Sequence, residues 1–248
     1  MGSEGAERRH HHAGRTAATQ AAFLLPYLRP GMTLLDLGCG PGSITVGLRD
    51  AVAPGLAVGL DARPQLREAV PVVGGDVTRL PFAAASFDAI YASAVLQHLR
   101  DPLVALREAR RVARPGAVIG VVDADWDGEL CHPTDPLQRR SVQVLAALRA
   151  GTSPYVGRQL RQLLLEAGFS RAEGSARAVH YGTSALVREI GTMTAGLLRD
   201  PGTVRRAVTA GLATAAELAD MSAAWTAWST HPGAFLTRFW CEAIAWSE

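Results

Sequence analysis

The feature that most constrains the fold is a glycine-rich turn between a short apolar segment and a helical one. The apolar run 33–37 is followed by GCGPG at 38–42, and helical periodicity begins at about Ser43. Glycines at a strand-to-helix turn let the backbone bend tightly and let a ligand lie against it. The N–H groups that open the following helix favour an anionic group such as a carboxylate. The pattern therefore predicts an α/β fold that binds a ligand at this turn.

Strand-like and helix-like segments alternate along the first half of the chain. Asp101-Pro102 predicts a helix start, because Asp caps the first N–H groups and Pro fits the first helical position. The alternation predicts a parallel sheet with right-handed crossovers. Short apolar segments typical of buried strands cover 33–37, 57–60, 70–73, 87–92 and 117–122.

The remaining segments follow a different pattern. A single helix is predicted at 16–28, before the glycine turn. Beyond Asp123 we expect irregular backbone at first. Later periodicity predicts helices at 136–150 and 157–167, a strand at 172–181, helical pieces at 183–230 and a last strand at 234–246.

Composition narrows the class of protein. With 248 residues, 48% of them hydrophobic, the chain can build its core without disulfides or a structural metal. The N-terminus has no apolar signal region and no run is long enough to cross a bilayer, so we expect a cytoplasmic protein with reduced thiols and no membrane partner. All 25 basic side chains are arginine, which excludes Schiff-base chemistry on lysine. A net charge of +2 without a dense basic stripe argues against a nucleic-acid partner.

Three aspartates follow or precede turns at three successive strand ends. Asp36 stands just before the glycine turn, Asp61 about 20 residues beyond it, where an acid can reach a ribose, and Asp76 after the third strand. Each alone would be interpreted as a turn or capping residue. The ordered set favours one ligand instead. The G-x-G-x-G spacing and the negative charge of Asp36 disfavour a nicotinamide oxidoreductase, whose turn reads G-x-G-x-x-G and binds a pyrophosphate.

The glycine turn, the three aspartates and the segments around them resemble a known family. The chain is similar to the class I S-adenosylmethionine-dependent methyltransferases, and within them to the ubiquinone/menaquinone-biosynthesis-like small-molecule branch common in natural-product pathways. The resemblance extends over 15–123. The matching segments are LLDLGCGPG at 34–42, VGLDA at 58–62, GDVTRLPFAAASFDAIYAS at 75–93, VLQHLRDP at 95–102 and ARPGAVIGVVD at 113–123.

The resemblance implies the architecture. We expect a Rossmann-like α/β fold with a seven-stranded, mostly parallel sheet, the last strand antiparallel, helices on both faces and helical cap insertions. Residues 1–14 are expected to be a flexible N-terminus and 15–248 the methyltransferase domain. Within that domain, 15–123 would be the cofactor-binding half, and 124–156 and 183–230 the substrate-cap segments.

The resemblance also implies the cofactor, S-adenosyl-L-methionine, and its contacts. Asp36 and the glycine turn would hold its amino-acid end, Asp61 the ribose, and Asp76 with Val77 the adenine. Arg15 is a candidate for the cofactor carboxylate, although a solvated helix-start arginine explains it equally well. The residues implied to bind the cofactor are Arg15, Asp36, Gly38, Cys39, Gly40, Gly42, Asp61, Ala62, Asp76, Val77, Ser93, Ala94 and Val95.

The expected reaction is in-line methyl transfer to a small molecule. The donor is already activated, so the protein mainly aligns the reactants and excludes water. His98, after the fourth strand, is the candidate base if the acceptor carries a proton; a structural hydrogen bond in its loop is the alternative. The acceptor and the methylated atom are not readable from these residues, and a homodimer is compatible with them.

Two other functions stay open. Nucleic-acid methyltransferases share the cofactor half, but the segment after the fourth strand, SAVLQH at 93–98, lacks their signature motifs. A methyltransferase fold could also keep the cofactor pocket and catalyse a cyclisation, or only bind. We predict no metal site: the D-x-D-x-D-G run at 123–128 resembles the opening of a calcium loop but has Thr134 where a glutamate is expected, and the histidines at 10–12 fit a polar chain end.

Overall fold

The computed structural model describes residues 15–64 and 70–248. The predicted flexible N-terminus, 1–14, with its three histidines, lies outside the described residues. The chain forms two compact units. The first contains the described residues up to Asp123 together with Val156–Ala176 and Cys241–Glu248, and the second contains Ala124–Tyr155 and Arg177–Trp240.

Within the described residues, seven strands form one sheet in the order β3-β2-β1-β4-β5-β7-β6. The strands are β1 (Thr33–Leu37), β2 (Leu56–Asp61), β3 (Val72–Gly74), β4 (Phe87–Ser93), β5 (Ala113–His132), β6 (Arg171–Tyr181) and β7 (Phe235–Trp246). The strands β3, β2, β1, β4 and β5 pair in parallel. Hydrogen bonds from Ser170 to Trp246 and from Thr237 to Val179 show that β6 and β7 run in opposite directions. The predicted Rossmann-like, seven-stranded and mostly parallel sheet with the last strand antiparallel is confirmed.

The described residues also form helices between and after the strands. The α-helices are α1 (Ala17–Gln20), α2 (Ser43–Val52), α3 (Pro102–Val112), α4 (Pro136–Ala147), α5 (Leu160–Glu166), α6 (Ser184–Arg199), α7 (Pro201–Thr209) and α8 (Ala215–Trp228). Short 3-10 turns cover Leu25–Tyr27, Leu96–His98 and Val156–Gln159. No helix in the described ranges is both long and apolar enough to cross a bilayer.

The two faces of β1 explain how the first unit positions its site. Leu35 and Leu37 belong to a buried cluster that includes Leu106 and Ala109 of α3. Side chains alternate along a strand, so Asp36 points to the opposite face. There its carboxylate meets Thr45 of α2. A polar group is thus placed inside the unit, one residue before the glycine turn.

Two expectations about secondary structure are wrong. The segment 16–28 is not one helix, because Pro26 has no N–H to continue an α-helical ladder and the chain forms α1 and a 3-10 turn instead. The segment after Asp123 is not irregular: β5 continues to His132. Its alternation of acidic residues with others was a period-2 strand pattern, which the clustered acids and Gly128 concealed.

The second unit has a core of its own. Trp225 of α8 is fully buried and its Nε1–H donates to Ser141 Oγ of α4 at 2.8 Å. Trp228, one turn later, packs edge-on against Trp225 with ring centroids 5.4 Å apart. The C-terminal tryptophans of α8 are therefore core residues of this unit.

Candidate cofactor site

The carboxyl ends of the parallel strands bring the predicted residues of the first unit together. Leu37 of β1 is in register with Leu60 of β2 and Ala92 of β4, so Gly38, Asp61 and Ser93 follow at one level. A cavity of about 200 Å³ opens at this edge. It is lined by Arg15, Asp36, Gly38, Cys39, Gly40, Pro41, Ser43, Ile44, Ser93, Ala94 and His98.

The glycine turn is fixed by the end of the neighbouring strand. The N–H groups of Gly38 and Cys39 both donate to the Leu60 carbonyl, at 2.7 and 3.1 Å. Gly38 and Gly40 have φ of +65° and +51°, which L side chains rarely adopt. A Cβ on Gly38 would also lie 2.4 Å from Cγ2 of Val95. Glycine at 38 therefore allows both the bend and the close approach of the loop after β4.

Asp36 provides a buried carboxyl group at the base of the cavity. The residue is 3% exposed, and its Oδ2 accepts a hydrogen bond of 2.6 Å from Thr45 Oγ1. Burial raises the pKa of Asp36 to about 7, although the Thr45 hydroxyl and the Arg15 guanidinium act in the opposite direction. A cationic group entering the cavity would favour the ionised form of this carboxyl.

Arg15 brings a positive charge into the same cavity. Its Nη2 donates to Ser93 Oγ at 2.6 Å and to Gln20 Oε1 at 3.1 Å. The backbone carbonyl of Gln20 accepts a hydrogen bond from the hydroxyl of the buried Tyr91, with an O···O distance of 2.8 Å. The segment around α1 is thereby anchored to β4, and the guanidinium is held at the edge of the sheet.

The start of α2 forms another wall of the cavity. Gly42 is its N-cap and makes no side-chain capping bond, and Ser43 and Ile44 of the first turn line the cavity. Pro41, Ser43 and Ile44 were missing from the predicted set. The predicted helix start after the turn was the signal for them, because N–H groups of a first turn and the positive end of the helix dipole face an anion there.

Asp61 already holds part of the turn. Its Oδ2 accepts the Gly40 N–H and its Oδ1 the Arg63 N–H, both at 2.8 Å. A carboxylate has about four acceptor positions, so both oxygens keep capacity for a ligand. Asp61, the exposed Ala62 and the N-cap Gly42 are outside the set of residues that line the cavity.

Asp76 and Val77 are also outside that set. The Asp76 Oδ1 accepts bonds of 2.8 Å from the Thr78 backbone N–H and hydroxyl, which lower the pKa of this exposed carboxyl. Val77 is buried in the core of the unit together with Leu80. In the structure Asp76 thus closes a local turn and Val77 makes a packing contact, and their predicted contact with the cofactor stays a prediction.

The loop after β4 carries the candidate base. Ala94 has φ of +57° and its N–H donates to the Val122 carbonyl at 2.9 Å. Val95 is half-buried against Gly38, and His98 ends the short 3-10 turn with its side chain exposed at the cavity. The loop thus presents His98 and Ala94 to the cavity that holds Asp36.

The acidic run 123–128 makes hydrogen bonds to backbone groups. Asp123 accepts the Gln97 N–H at 3.1 Å, and Asp125 accepts the Asp127 N–H at 3.1 Å. In the described ranges, three or more His, Cys, Asp or Glu side chains do not gather in a way that could hold a metal ion.

Comparison with known proteins matches this site to a family. A model described as a methyltransferase domain matches residues 35–121. A demethylmenaquinone methyltransferase of Roseiflexus castenholzii is 34% identical over 182 residues, which cover 60% of this chain and 74% of that protein. The chain belongs to the class I S-adenosylmethionine-dependent methyltransferases.

Two further relatives match over less of their length. An uncharacterized methyltransferase of Schizosaccharomyces pombe is 31% identical over 64% of each chain. An uncharacterized transposon protein of Streptomyces fradiae is 38% identical over 57% of this chain and 44% of its own. This methyltransferase thus spans about half to two thirds of the length of these two relatives.

Solved structures share the fold of this methyltransferase at low identity. The YcgJ protein of Bacillus subtilis has a TM-score of 0.59 at 17% identity and covers 96% of this chain and 99% of its own. The [4+2]-cyclase SpnF has a TM-score of 0.53 at 20% identity, covering 89% of this chain and 76% of its own. A Haemonchus contortus N-methyltransferase in complex with S-adenosylhomocysteine has a TM-score of 0.50 at 15% identity, covering 89% and 49%. The likeness shows the fold alone.

The Gly38 contact predicts a stability difference within one turn. Gly38→Ala adds a Cβ against Val95 in a left-handed backbone, whereas Gly40→Ala adds one with nothing within 4 Å. We expect Gly40→Ala to lower the free energy of unfolding by about 1–2 kcal/mol, and Gly38→Ala by roughly 3 kcal/mol or more. Urea unfolding measures both. Equal losses in the two variants would show that Val95 does not restrict position 38.

The raised pKa of Asp36 predicts how stability depends on pH. The native state binds this proton more tightly than the unfolded chain, so between the ordinary pKa of 3.8 and about 7 its contribution to stability falls as pH rises. Asp36→Asn removes the titration. Between pH 5 and pH 8 the wild type should lose about 2–3 kcal/mol more than this variant. Parallel stability profiles from urea unfolding would contradict the raised pKa.

Proposed function

We propose that this protein transfers a methyl group from S-adenosyl-L-methionine to a small-molecule acceptor. The observation that carries the proposal is the cavity at the glycine turn, which combines the buried Asp36 carboxyl, the Arg15 guanidinium and the start of α2. The amino-acid end of the cofactor carries one ammonium and one carboxylate. A buried carboxyl and a site of positive potential are the chemical complements of these two groups.

The charges of the residues in the cavity complement those of the amino-acid end of the cofactor. The ammonium would meet Asp36, whose pKa of about 7 leaves it ready to ionise beside a cation. The carboxylate would meet Arg15 and the first turn of α2. The glycine turn, with Cys39, Gly40 and Gly42, would let the ligand lie against the backbone.

The ribose and adenine of the cofactor would lie along the carboxyl ends of β2 and β3. Asp61 would accept the ribose hydroxyls with the acceptor capacity that its two backbone bonds leave, and Ala62 lies beside it. Asp76 and Val77 would meet the adenine. Ser93, Ala94 and Val95, at the end of β4, would then adjoin the sulfonium.

When bound, the cofactor supplies an electrophilic methyl group on its sulfonium. The chain contributes orientation, since Asp36, Arg15 and Asp61 would fix the donor along the sheet edge. The loop after β4 would shield the reacting centre from water. His98 would accept a proton from the acceptor at an imidazole nitrogen, if the acceptor carries one.

The relatives of the chain and its cap segments, 124–156 and 183–230, support a proposal about the acceptor. Relatives named as demethylmenaquinone methyltransferases support a small molecule, and we extend this to a product of secondary metabolism made in the cytoplasm. We assign cofactor binding to 15–123 and the choice of acceptor to 124–156 and 183–230, because loop and cap segments usually carry specificity.

A second candidate function has one observation in its favour. The fold is shared with SpnF, a protein named as a [4+2]-cyclase. Orientation and exclusion of water would serve a cyclisation as well as a methyl transfer. Mass spectrometry of products from candidate metabolites distinguishes the two: a gain of one methyl group supports transfer, and an isomer of unchanged mass supports cyclisation.

The ribose contact predicts a loss of affinity. Asp61→Ala should weaken S-adenosylmethionine binding by roughly 2–4 kcal/mol, because ribose hydroxyls and the Gly40 N–H lose their acceptor. Asp50→Ala is the matched control, since Asp50 is an exposed aspartate of α2 paired with Arg49. Calorimetry should show near-wild-type binding for the control. Unchanged binding in Asp61→Ala rejects the ribose contact, and tighter binding of NAD rejects the whole function.

The position of His98 predicts a catalytic effect without a binding effect. His98→Gln keeps a polar side chain but cannot take the proton, so turnover should fall roughly 10²–10⁴-fold while cofactor affinity stays within about threefold. The wild-type rate at limiting acceptor should rise with pH as the imidazole loses its proton. Near-normal turnover with a flat pH profile would remove His98 from the reaction.

The division of labour predicts the outcome of segment exchange. Chimeras that replace 124–156 and 183–230 with the segments of a related enzyme should change which acceptor is methylated. Cofactor affinity should stay within about threefold, because the proposed cofactor contacts all lie before residue 124. Collapsed cofactor binding with unchanged acceptor choice would reverse the assignment.

A further inference from the structure

A buried carboxyl group that the proposed mechanism does not use lies at the end of the buried part of β5. Asp123 is 1% exposed, and its Oδ2 accepts the Gln97 N–H at 3.1 Å. Gln97 is buried as well, at 6% exposure. A carboxylate in such surroundings is costly unless it makes hydrogen bonds. The bond to Gln97 therefore joins two buried groups and should be strongly favoured over its loss.

The loop that Asp123 contacts is the one that reaches the cavity. Ala94 and His98 line the cavity, and Val95 between them packs against Gly38. Ala94 has φ of +57°, and such a conformation persists only where the surroundings determine it. Contacts with neighbouring elements must therefore hold this loop in place.

Two hydrogen bonds join this loop to β5. At the start of the loop, the Ala94 N–H donates to the Val122 carbonyl at 2.9 Å. Three residues later, the Gln97 N–H donates to the Asp123 carboxylate. Consecutive residues of one strand thus hold both ends of the segment that packs on the glycine turn.

We propose that Asp123 is a positioning residue for cofactor binding. Its carboxylate holds the Gln97 N–H and so keeps Ala94 and Val95 against Gly38. The inference rests on the proposed function, because it takes the cavity to be the cofactor site. Asp123 acts through Gln97 and is outside the set of residues that line the cavity.

The test uses two substitutions of Asp123 and needs no acceptor. The probe is S-adenosylhomocysteine, titrated calorimetrically into the 248-residue chain. Asp123→Ala removes the acceptor oxygen and should raise the Kd about tenfold, whereas Asp123→Asn keeps a carbonyl oxygen for the Gln97 N–H and should stay within about threefold. Equal weakening in both variants overturns the proposal, since the negative charge and not the hydrogen bond would then matter.

Asp88 provides a matched control on the same sheet. Its Oδ2 accepts the Thr33 N–H at 2.8 Å near the start of β4, at the opposite end of that strand from the cavity. Asp88→Ala should lower the melting temperature but leave the Kd of S-adenosylhomocysteine unchanged. If it weakens binding as much as Asp123→Ala does, the effect is general destabilisation and the proposal fails.

Hydrogen exchange of the Gln97 amide in the wild type tests the contact directly, and this measurement stands even if a variant does not fold. In the free wild type this amide should be protected, and in Asp123→Ala it should exchange at least about tenfold faster. An unprotected Gln97 amide in the wild type overturns the proposal. Protection without any binding of S-adenosylhomocysteine would instead reject the proposed function, and with it the role of Asp123 in binding.

Discussion

The burial of the Asp36 carboxyl is the constraint on which the rest of the site depends. A charge in the interior is unfavourable, and the Thr45 hydroxyl and the Arg15 guanidinium offset only part of this, so the pKa stays near 7. The first unit therefore contains a group whose ionisation is incomplete without a cation. A ligand with an ammonium group, as proposed for this cavity, would supply the missing cation, and part of its binding energy would come from completing this ionisation.

Contacts with the ends of the neighbouring strands fix the conformation of the glycine turn. The Leu60 carbonyl accepts two N–H groups of the turn, and Asp61 accepts a third from Gly40. On the other side, Val95 fills the space that a side chain on Gly38 would need. The turn is thus shaped by β2 and by the loop after β4, and its own sequence only permits that shape. This division explains why glycine is required at 38 for contact as well as for backbone freedom.

Much of the first unit could be predicted because its signals are local. The strand at 33–37, the helix start at Ser43 and the cap at Asp101 depend on residues close in sequence, and the structure agrees at each. Arg15 was expected from the family resemblance. Its bond to Ser93 joins residues far apart in sequence, and its bond to Gln20 depends on how the chain folds back at α1, so neither bond could be predicted from the sequence. The extension of β5 was missed, because pairing within a sheet is a non-local property that alternation reports weakly. The contact between Asp123 and Gln97 has no sequence signature at all.

The proposed double role of Asp61, in the turn and at the ribose, has a consequence for redesigning cofactor specificity. An acid at this place is the obvious position to alter for accepting donors with a modified ribose. Here the same two oxygens accept the Gly40 and Arg63 backbone N–H groups, so replacing them would disturb the turn together with the proposed sugar contact. The side chain of the exposed neighbour Ala62 is a methyl group, so it makes no hydrogen bond to the turn that a substitution would remove. Substitutions intended to accept cofactor analogues with a modified ribose should therefore begin at position 62, with Asp61 kept as part of the turn.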